Sequence, residues 1–149
     1  MARQINDQGI ALIKRYEGVK LDAYQDVAGI WTIGYGHIKG VTPGMHISDD
    51  EAEQALQDDL TGTEAAVADA TSDADTTDNQ FSAMVCFAFN VGTANFRQST
   101  VLKEHLAGND ERAADAFLMW NKARIKGVLQ PVTGLTNRRN AERTLYLTL

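Results

Sequence analysis

Glu17, Asp26 and Thr32 follow the spacing Glu-x8-Asp-x5-Thr within the run Glu17-Gly-Val-Lys-Leu-Asp-Ala-Tyr-Gln-Asp26-Val-Ala-Gly-Ile-Trp-Thr32-Ile-Gly-Tyr-Gly-His37. Two carboxyls and a hydroxyl are the minimum equipment for acid/base hydrolysis of a glycosidic bond: one carboxyl protonates the leaving oxygen, and the other groups steady charge at the reacting carbon and hold water. Taken singly, each residue has an ordinary explanation. A glutamate at a helix end is usually a solvated side chain, an aspartate before a turn bonds its own backbone, and a β-branched threonine suits a strand. Their grouping is what carries chemistry.

The elements that must position them are short. Residues 7–17 read as a helix, with Ile10, Leu12, Ile13 and Tyr16 near helical spacing, Asn6 or Asp7 as cap and Gly18 as stop. Glu17 then faces the negative end of the helix dipole, a field that favours keeping a proton, as a general acid must. Residues 22–38 change character: Tyr24, Ile30, Trp31, Thr32, Ile33 and Tyr35 favour strands, while Gly29, Gly34, Gly36 and Gly40 mark turns. A helix ending at Glu17 and feeding so tight a hairpin leaves the three residues little freedom but to face one cleft. A small antiparallel sheet is expected to close near Pro43-Gly44.

Ser48-Asp-Asp-Glu51 is a capping box that opens a helix through about Val67, with Ala52, Ala55, Leu56 and Leu60 on one face. Residues 70–77 are polar and turn-rich. From 78 onward the pattern is strongly helical. Asp78 can cap an apolar helix over Phe81 to Phe89, broken by Gly92 and Asn95. Ser99-Thr100 caps the next piece to Leu106, Gly108 ends it, and Asn109 or Asp110 starts a helix through about Trp120. Pro131 and Gly134 frame a loop, and Thr136 or Asn137 begins the last helix. Met84, Phe87, Met119 and Trp120 are read as core.

The composition bounds the function. With 149 residues and 44% apolar content the chain is one domain, 1–149, able to bury a core. Its N-terminal lobe is placed at about 12–70 and its helical C-terminal lobe at about 78–149 together with the first helix. A formal net charge of −6 argues against nucleic acid as a partner. No run approaches a membrane span, so no stable membrane insertion is expected, and the first residues show no apolar leader stretch. Cys86, the single cysteine, sits in an apolar run and reads as a buried thiol. No His/Cys/Asp cluster has metal-ligand spacing, so no cofactor is implied, and Gly34-x-Gly36 lacks the Gly-Lys-Ser/Thr of a phosphate loop. Charge is uneven: residues 49–78 are rich in Asp and Glu without a Lys or Arg, and arginines gather in the last third.

Glu17-Gly18, Leu21, Ala23-Tyr24, Asp26, Gly29, Trp31-Thr32-Ile33-Gly34, Gly36 and His37 stand in register with the signature of the phage-type lysozymes, glycoside hydrolase family 24, the T-even phage lysozyme family. The resemblance extends further. Phe89-Asn90-Val-Gly92, Phe96 and Ser99-Thr100 look like that family's central-helix and cleft segment, and Trp120-Asn-Lys and Pro131…Gly134-Leu135-x-x-Arg138-Arg139-x-Ala141-Glu142 like its C-terminal pattern.

What this implies is an α+β, predominantly α-helical, lysozyme-like fold, with a cleft between a small lobe bearing a β-hairpin sheet and a helical lobe. Glu17 would be the general acid, Asp26 the carboxylate stabilising positive charge and helping direct water, and Thr32 the hydroxyl placing that water on the opposite face of the sugar. Inversion would follow, with the carboxyls roughly 6.5–9.5 Å apart. Arg138 is the matched partner of the catalytic glutamate, with Arg139 as second choice. Substrate is then expected to loosen that pair or desolvate it. His37 matches a structural histidine paired with an aspartate that the sequence does not identify. Ile38, Phe89 and Asn90 match cleft positions, with core packing equally open for Ile38 and Phe89.

The implied activity is that of an endolysin: a muramidase acting as a monomer on peptidoglycan glycan strands, accumulating in the host bacterial cytoplasm and reaching the wall through a holin-type lesion. Two other readings remain: a lytic transglycosylase, and a non-catalytic wall-binding module on the same scaffold. The chain departs from its many basic relatives in being acidic.

Overall fold

A computed structural model describes residues 3–149. Met1 and Ala2, the start of the segment read as lacking an apolar leader, lie outside the described residues. The elements run α1 (Asp7–Glu17), β1 (Lys20–Gln25), β2 (Trp31–Gly34), α2 (Asp49–Ala70), α3 (Asp78–Val91), α4 (Thr93–Arg97), α5 (Thr100–Leu106), α6 (Asp110–Phe117), β3 (Lys122–Ile125), β4 (Val128–Pro131) and α7 (Thr133–Leu147).

Apolar side chains gather in two clusters. The larger surrounds α3, whose residues 80–88 are all buried, and α1, α2 and α7 pack against it. Phe87 stacks on Phe117 at 5.2 Å and meets Trp120 edge-on at 5.7 Å. The smaller cluster, Ile33, Ile47 and Ala52 with Leu21, Ala23 and Val41, fastens the sheet region to the start of α2. Helix α1 therefore packs with the large cluster while its last residue opens toward the sheet. Gly9 allows that packing: a Cβ there would lie 2.6 Å from Ile5 Cγ1 and 2.9 Å from Ser82 Cβ.

Strands β1 and β2 pair antiparallel, Tyr24 opposite Thr32 and Gln25 opposite Trp31, with an irregularity between Lys20 and Tyr24. The chain at 45–47 extends this sheet through Ala23 N–H to Met45 O and Ile47 N–H to Leu21 O, both 2.9 Å. At α2 the capping box forms as read, Ser48 and Glu51 exchanging two bonds of 3.1 Å.

Several boundaries differ from the sequence reading. Helix α2 runs on to Ala70. Thr77 rather than Asp78 caps α3, because only Thr77 has a glutamine three residues on to complete a capping box with Gln80. Asn95 lies inside the short helix α4, its side chain donating to Val91 O at 2.7 Å. Helix α6 stops at Phe117. The turn beyond it leaves Met119 62% exposed, so Met119 is surface rather than core. Residues 122–131, to which the sequence reading gives no element, form a β-hairpin turning at Lys126 and Gly127 with φ of 52° and 79°. Helix α7 starts at Thr133, three or four residues before the expected Thr136 or Asn137.

Candidate functional site

Glu17 is the last residue of α1, and Gly18, at φ +69°, turns the chain away after it. Its carboxyl meets α7: Arg138 Nη1 donates to Glu17 Oε2 at 2.5 Å. The glutamate side chain is 23% exposed and the arginine 4%. Tyr16, Glu17, Asn90, Val132, Gly134, Leu135 and Arg138 line one open pocket, so three elements and the end of the β3–β4 hairpin converge on this carboxyl. Gly36 touches it from the sheet side. A Cβ at Gly36 would lie 3.1 Å from Glu17 Oε1, and the residue holds φ +77°.

This makes a testable pair. Gly36→Ala and Gly40→Ala both place a Cβ on a left-handed backbone (φ +72° at Gly40), a strain of about 1–2 kcal/mol. Among the described residues nothing lies within 4 Å of a Cβ placed at Gly40. Both variants should lose similar thermal stability. Gly36→Ala alone should lose activity, by about tenfold or more, since a displaced reacting group is costly. Equal activity in the two would show that the Gly36 contact does not position Glu17.

Asp26 and Thr32 are linked through one residue. Asp26 Oδ1 accepts from Ala28 N–H at 2.8 Å and Ile30 N–H at 2.9 Å, and Asp26 N–H donates to Ile30 O at 2.9 Å. Thr32 Oγ1 donates to that same Ile30 carbonyl at 2.9 Å. The turn-type bonding expected of an aspartate is thus real, and it uses only Oδ1. Among the described residues Asp26 Oδ2 has no hydrogen-bond partner, and Thr32, 4% exposed, keeps its oxygen lone pairs.

His37 Nδ1 lies 2.8 Å from Asp59 Oδ2 on α2, which supplies the aspartate the sequence left open. Ile38 is 55% exposed, whereas Phe89 packs against the large cluster, leaving Asn90 next to it as the one of the pair that lines the Glu17 pocket.

Arg139, the second choice as partner, faces inward instead. Its Nη2 donates to Asn90 Oδ1 at 2.8 Å and to Glu142 Oε2 at 3.2 Å, and its guanidinium lies 5.1 Å from the Phe87 ring. Glu142, fully buried, is a site residue that the sequence reading does not name. Its Oε2 also accepts from Arg138 Nε at 3.1 Å and from Cys86 Sγ at 3.1 Å. The Arg138-Arg139-x-x-Glu142 spacing, which puts both arginines within one helical turn of the carboxylate, is the signal that could have found it.

Burial works against the charge on Arg138, but Cys86, Glu142 and Glu17 outweigh it, so the guanidinium holds its proton more firmly than usual. Burial lowers Arg139 and raises Glu142, each being the other's main opposing influence. Burial, with Glu142 beside it, pushes the Cys86 thiol well above its usual range, which makes it a poor nucleophile at neutral pH.

Residues 14–142 match the family model described as phage lysozyme. The chain is 39% identical over 142 residues to an endolysin of Acyrthosiphon pisum secondary endosymbiont phage 1, covering 95% of this chain and 97% of that one. Among solved structures it superposes on an endolysin from Escherichia coli O157:H7 phage FAHEc1 with a TM-score of 0.92 at 41% identity, over 99% of this chain and 95% of that one. It also superposes on the muramidase domain of SpmX from Asticaccaulis excentricus with a TM-score of 0.93 at 35% identity, over 99% of both chains. A match spanning nearly the whole chain, with the lysozyme-like architecture around it, makes this chain a member of the phage lysozyme family.

Proposed function

We infer that the chain is an endolysin of lysozyme type, hydrolysing the β-1,4 bond between N-acetylmuramic acid and N-acetylglucosamine in bacterial peptidoglycan. Glu17 is the general acid, and Asp26 with Thr32 holds the attacking water. The observation that carries this reading is the shared use of Ile30. Because the Thr32 proton goes to Ile30 O and Asp26 Oδ1 is taken by backbone donors, the turn presents two acceptors, Asp26 Oδ2 and Thr32 Oγ1. A water giving one proton to each has a lone pair left for the anomeric carbon. Glu17 comes from a different element and serves the leaving oxygen.

In the free protein Arg138 holds Glu17, so substrate must loosen that pair or exclude water from it before the proton is delivered. Asn90 and the exposed Ile38 supply an amide and apolar surface for the sugars, as polysaccharide sites require. Phe89 packs against the large cluster beside Asn90.

The chain falls with the T-even type within its family, in glycoside hydrolase family 24. It works as a monomer, divides into the two lobes given above, and reaches the wall by holin-type release. No helix of the described residues is long and apolar enough to cross a membrane.

Product analysis tests the activity. Digestion of purified sacculi should release muropeptides with reducing ends. Anhydro-muropeptides would mean a lytic transglycosylase, which needs no held water, and no products would leave a binding module. Stereochemistry tests the water. Attack opposite the leaving group gives the α-anomer first from a β-linked substrate, visible in early proton NMR, whereas an initial β-anomer would mean retention and remove the role given to Thr32.

A further inference from the structure

Behind the Glu17 pocket five polar side chains bond each to the next, Glu17, Arg138, Glu142, Arg139 and Asn90, and of these Glu142 and Arg139 have no part in the proposed reaction. Arg138, Arg139 and Glu142 are buried. Placing two guanidiniums and a carboxylate in a protein interior is costly, and apolar packing of the same volume would usually serve stability as well or better. Arg139 Nε also lies 2.8 Å from Glu142 Oε1, so both oxygens of this carboxylate face the one guanidinium.

We propose that Glu142 is a positioning residue with two outputs: through Arg138 it limits how much positive charge bears on Glu17, and through Arg139 it fixes the face that Asn90 shows the substrate. Glu142 Oε2 accepts from three donors, as an ionised carboxylate does. With Glu142 charged, Arg138 is shared between two carboxylates, and Glu17 feels less than one full cation. The second output follows from donor and acceptor identity. Arg139 can only donate, so Asn90 Oδ1 must face it, which leaves Asn90 Nδ2 as the group available to a substrate oxygen. One buried carboxylate thereby ties the strength of the acid to the orientation of a substrate-binding amide. The second output rests on the lysozyme reading above; the first does not.

Charge-swapping variants separate this from a structural role. Glu142→Gln removes an anion, exposes Glu17 to more positive charge, and should make its carboxyl lose its proton at lower pH. Arg139→Gln removes a cation, leaves Glu142 to Arg138 alone, and should move that proton loss to higher pH. Shifts of about 0.5–1 pH unit in opposite directions are expected, from unit charges acting across one intervening side chain. The double variant is charge-balanced and should return near the wild-type position. It also avoids leaving a lone buried charge, so it remains informative if Glu142→Gln folds poorly.

Other titratable groups on the elements around Glu17 and Glu142 include Lys14, Arg15 and Tyr16 on α1, Cys86 on α3, Asp26, Tyr35 and His37 near the sheet, Glu53 and Asp59 on α2, Asp115 on α6, and Arg143 and Tyr146 on α7. None is changed, so their background is common to all variants. The direct readout is the carbon-13 titration of the Glu17 carboxyl, which works whether or not the protein cleaves peptidoglycan. The second is the alkaline limb of the activity profile, which should move with it. Arg139→Lys keeps the charge but loses the fork that holds Asn90. Its pH position should stay while KM rises about three- to tenfold, the worth of one hydrogen bond.

Titration curves that coincide in all variants, with only thermal stability changed, would overturn the proposal, as would shifts of the same sign. A wild-type protein without hydrolytic products would instead overturn the lysozyme reading and leave the Glu17 titration to decide the first output.

Discussion

Replacing Glu17 with glutamine is expected to lower the rate of peptidoglycan hydrolysis by about 10²–10⁴ while the fold survives. The amide keeps the shape of the side chain and can still accept from Arg138 through its oxygen, but it has no proton to give the departing sugar oxygen. Arg138 does not become an orphaned cation, since Glu142 Oε2 and the Cys86 carbonyl, 3.0 Å from Nη2, remain as its partners. The change is at a partly solvated carboxyl at a helix end, where removing negative charge from the negative end of the dipole is mildly favourable. The thermal midpoint should therefore hold or rise slightly. Lysis of permeabilised cells at near wild-type rate by Glu17→Gln would remove Glu17 from the role of acid. Loss of activity together with a large drop in midpoint would point to a damaged fold instead, and circular dichroism at the assay temperature separates the two.

Local signals explain what could be read in advance. Asn6 and Gly18 bracket α1, Ser48 with Glu51 opens α2, and the glycine-punctuated run between Glu17 and His37 forces a tight hairpin, so the helix end and turn that carry Glu17, Asp26 and Thr32 were legible. The β3–β4 hairpin was not, for a physical reason. Nearly all its residues are exposed, so no core imposes the alternation of apolar and polar residues by which a strand is recognised, and its turn is Lys126-Gly127 rather than the usual Asn-Gly. Long-range pairings were equally hidden. The acidic stretch offers many aspartates to His37, and only the packing of α2 against the sheet selects Asp59. Arg138 was named as the partner of Glu17, but the choice between it and Arg139 depends on which side of α7 faces α1. The buried Glu142 depends further on α3 bringing Cys86 to the same spot.

At Thr32 activity and stability should move in opposite directions, which makes serine and valine the informative replacements. The residue is almost wholly buried, so its methyl is largely out of water. Thr32→Ser keeps the hydroxyl and drops that methyl, at a cost near 0.8 kcal/mol for the lost apolar burial. Thr32→Val keeps the shape and the strand preference but loses the oxygen. The loss strands nothing on the protein side, because Ile30 O still accepts from Asp26 N–H at 2.9 Å. Valine should thus be at least as stable as serine. In hydrolysis the order reverses. Serine can still donate to Ile30 O and accept from water, so it should keep a substantial part of the wild-type rate. Valine leaves the water held by Asp26 alone, without the second contact that aims its lone pair at the anomeric carbon. A loss of about 10² or more is expected, the scale on which a misplaced reactant is felt. The comparison needs only initial rates on permeabilised cells and two melting curves. Equal rates for serine and valine would make Thr32 an ordinary strand residue and return the placement of the water to Asp26.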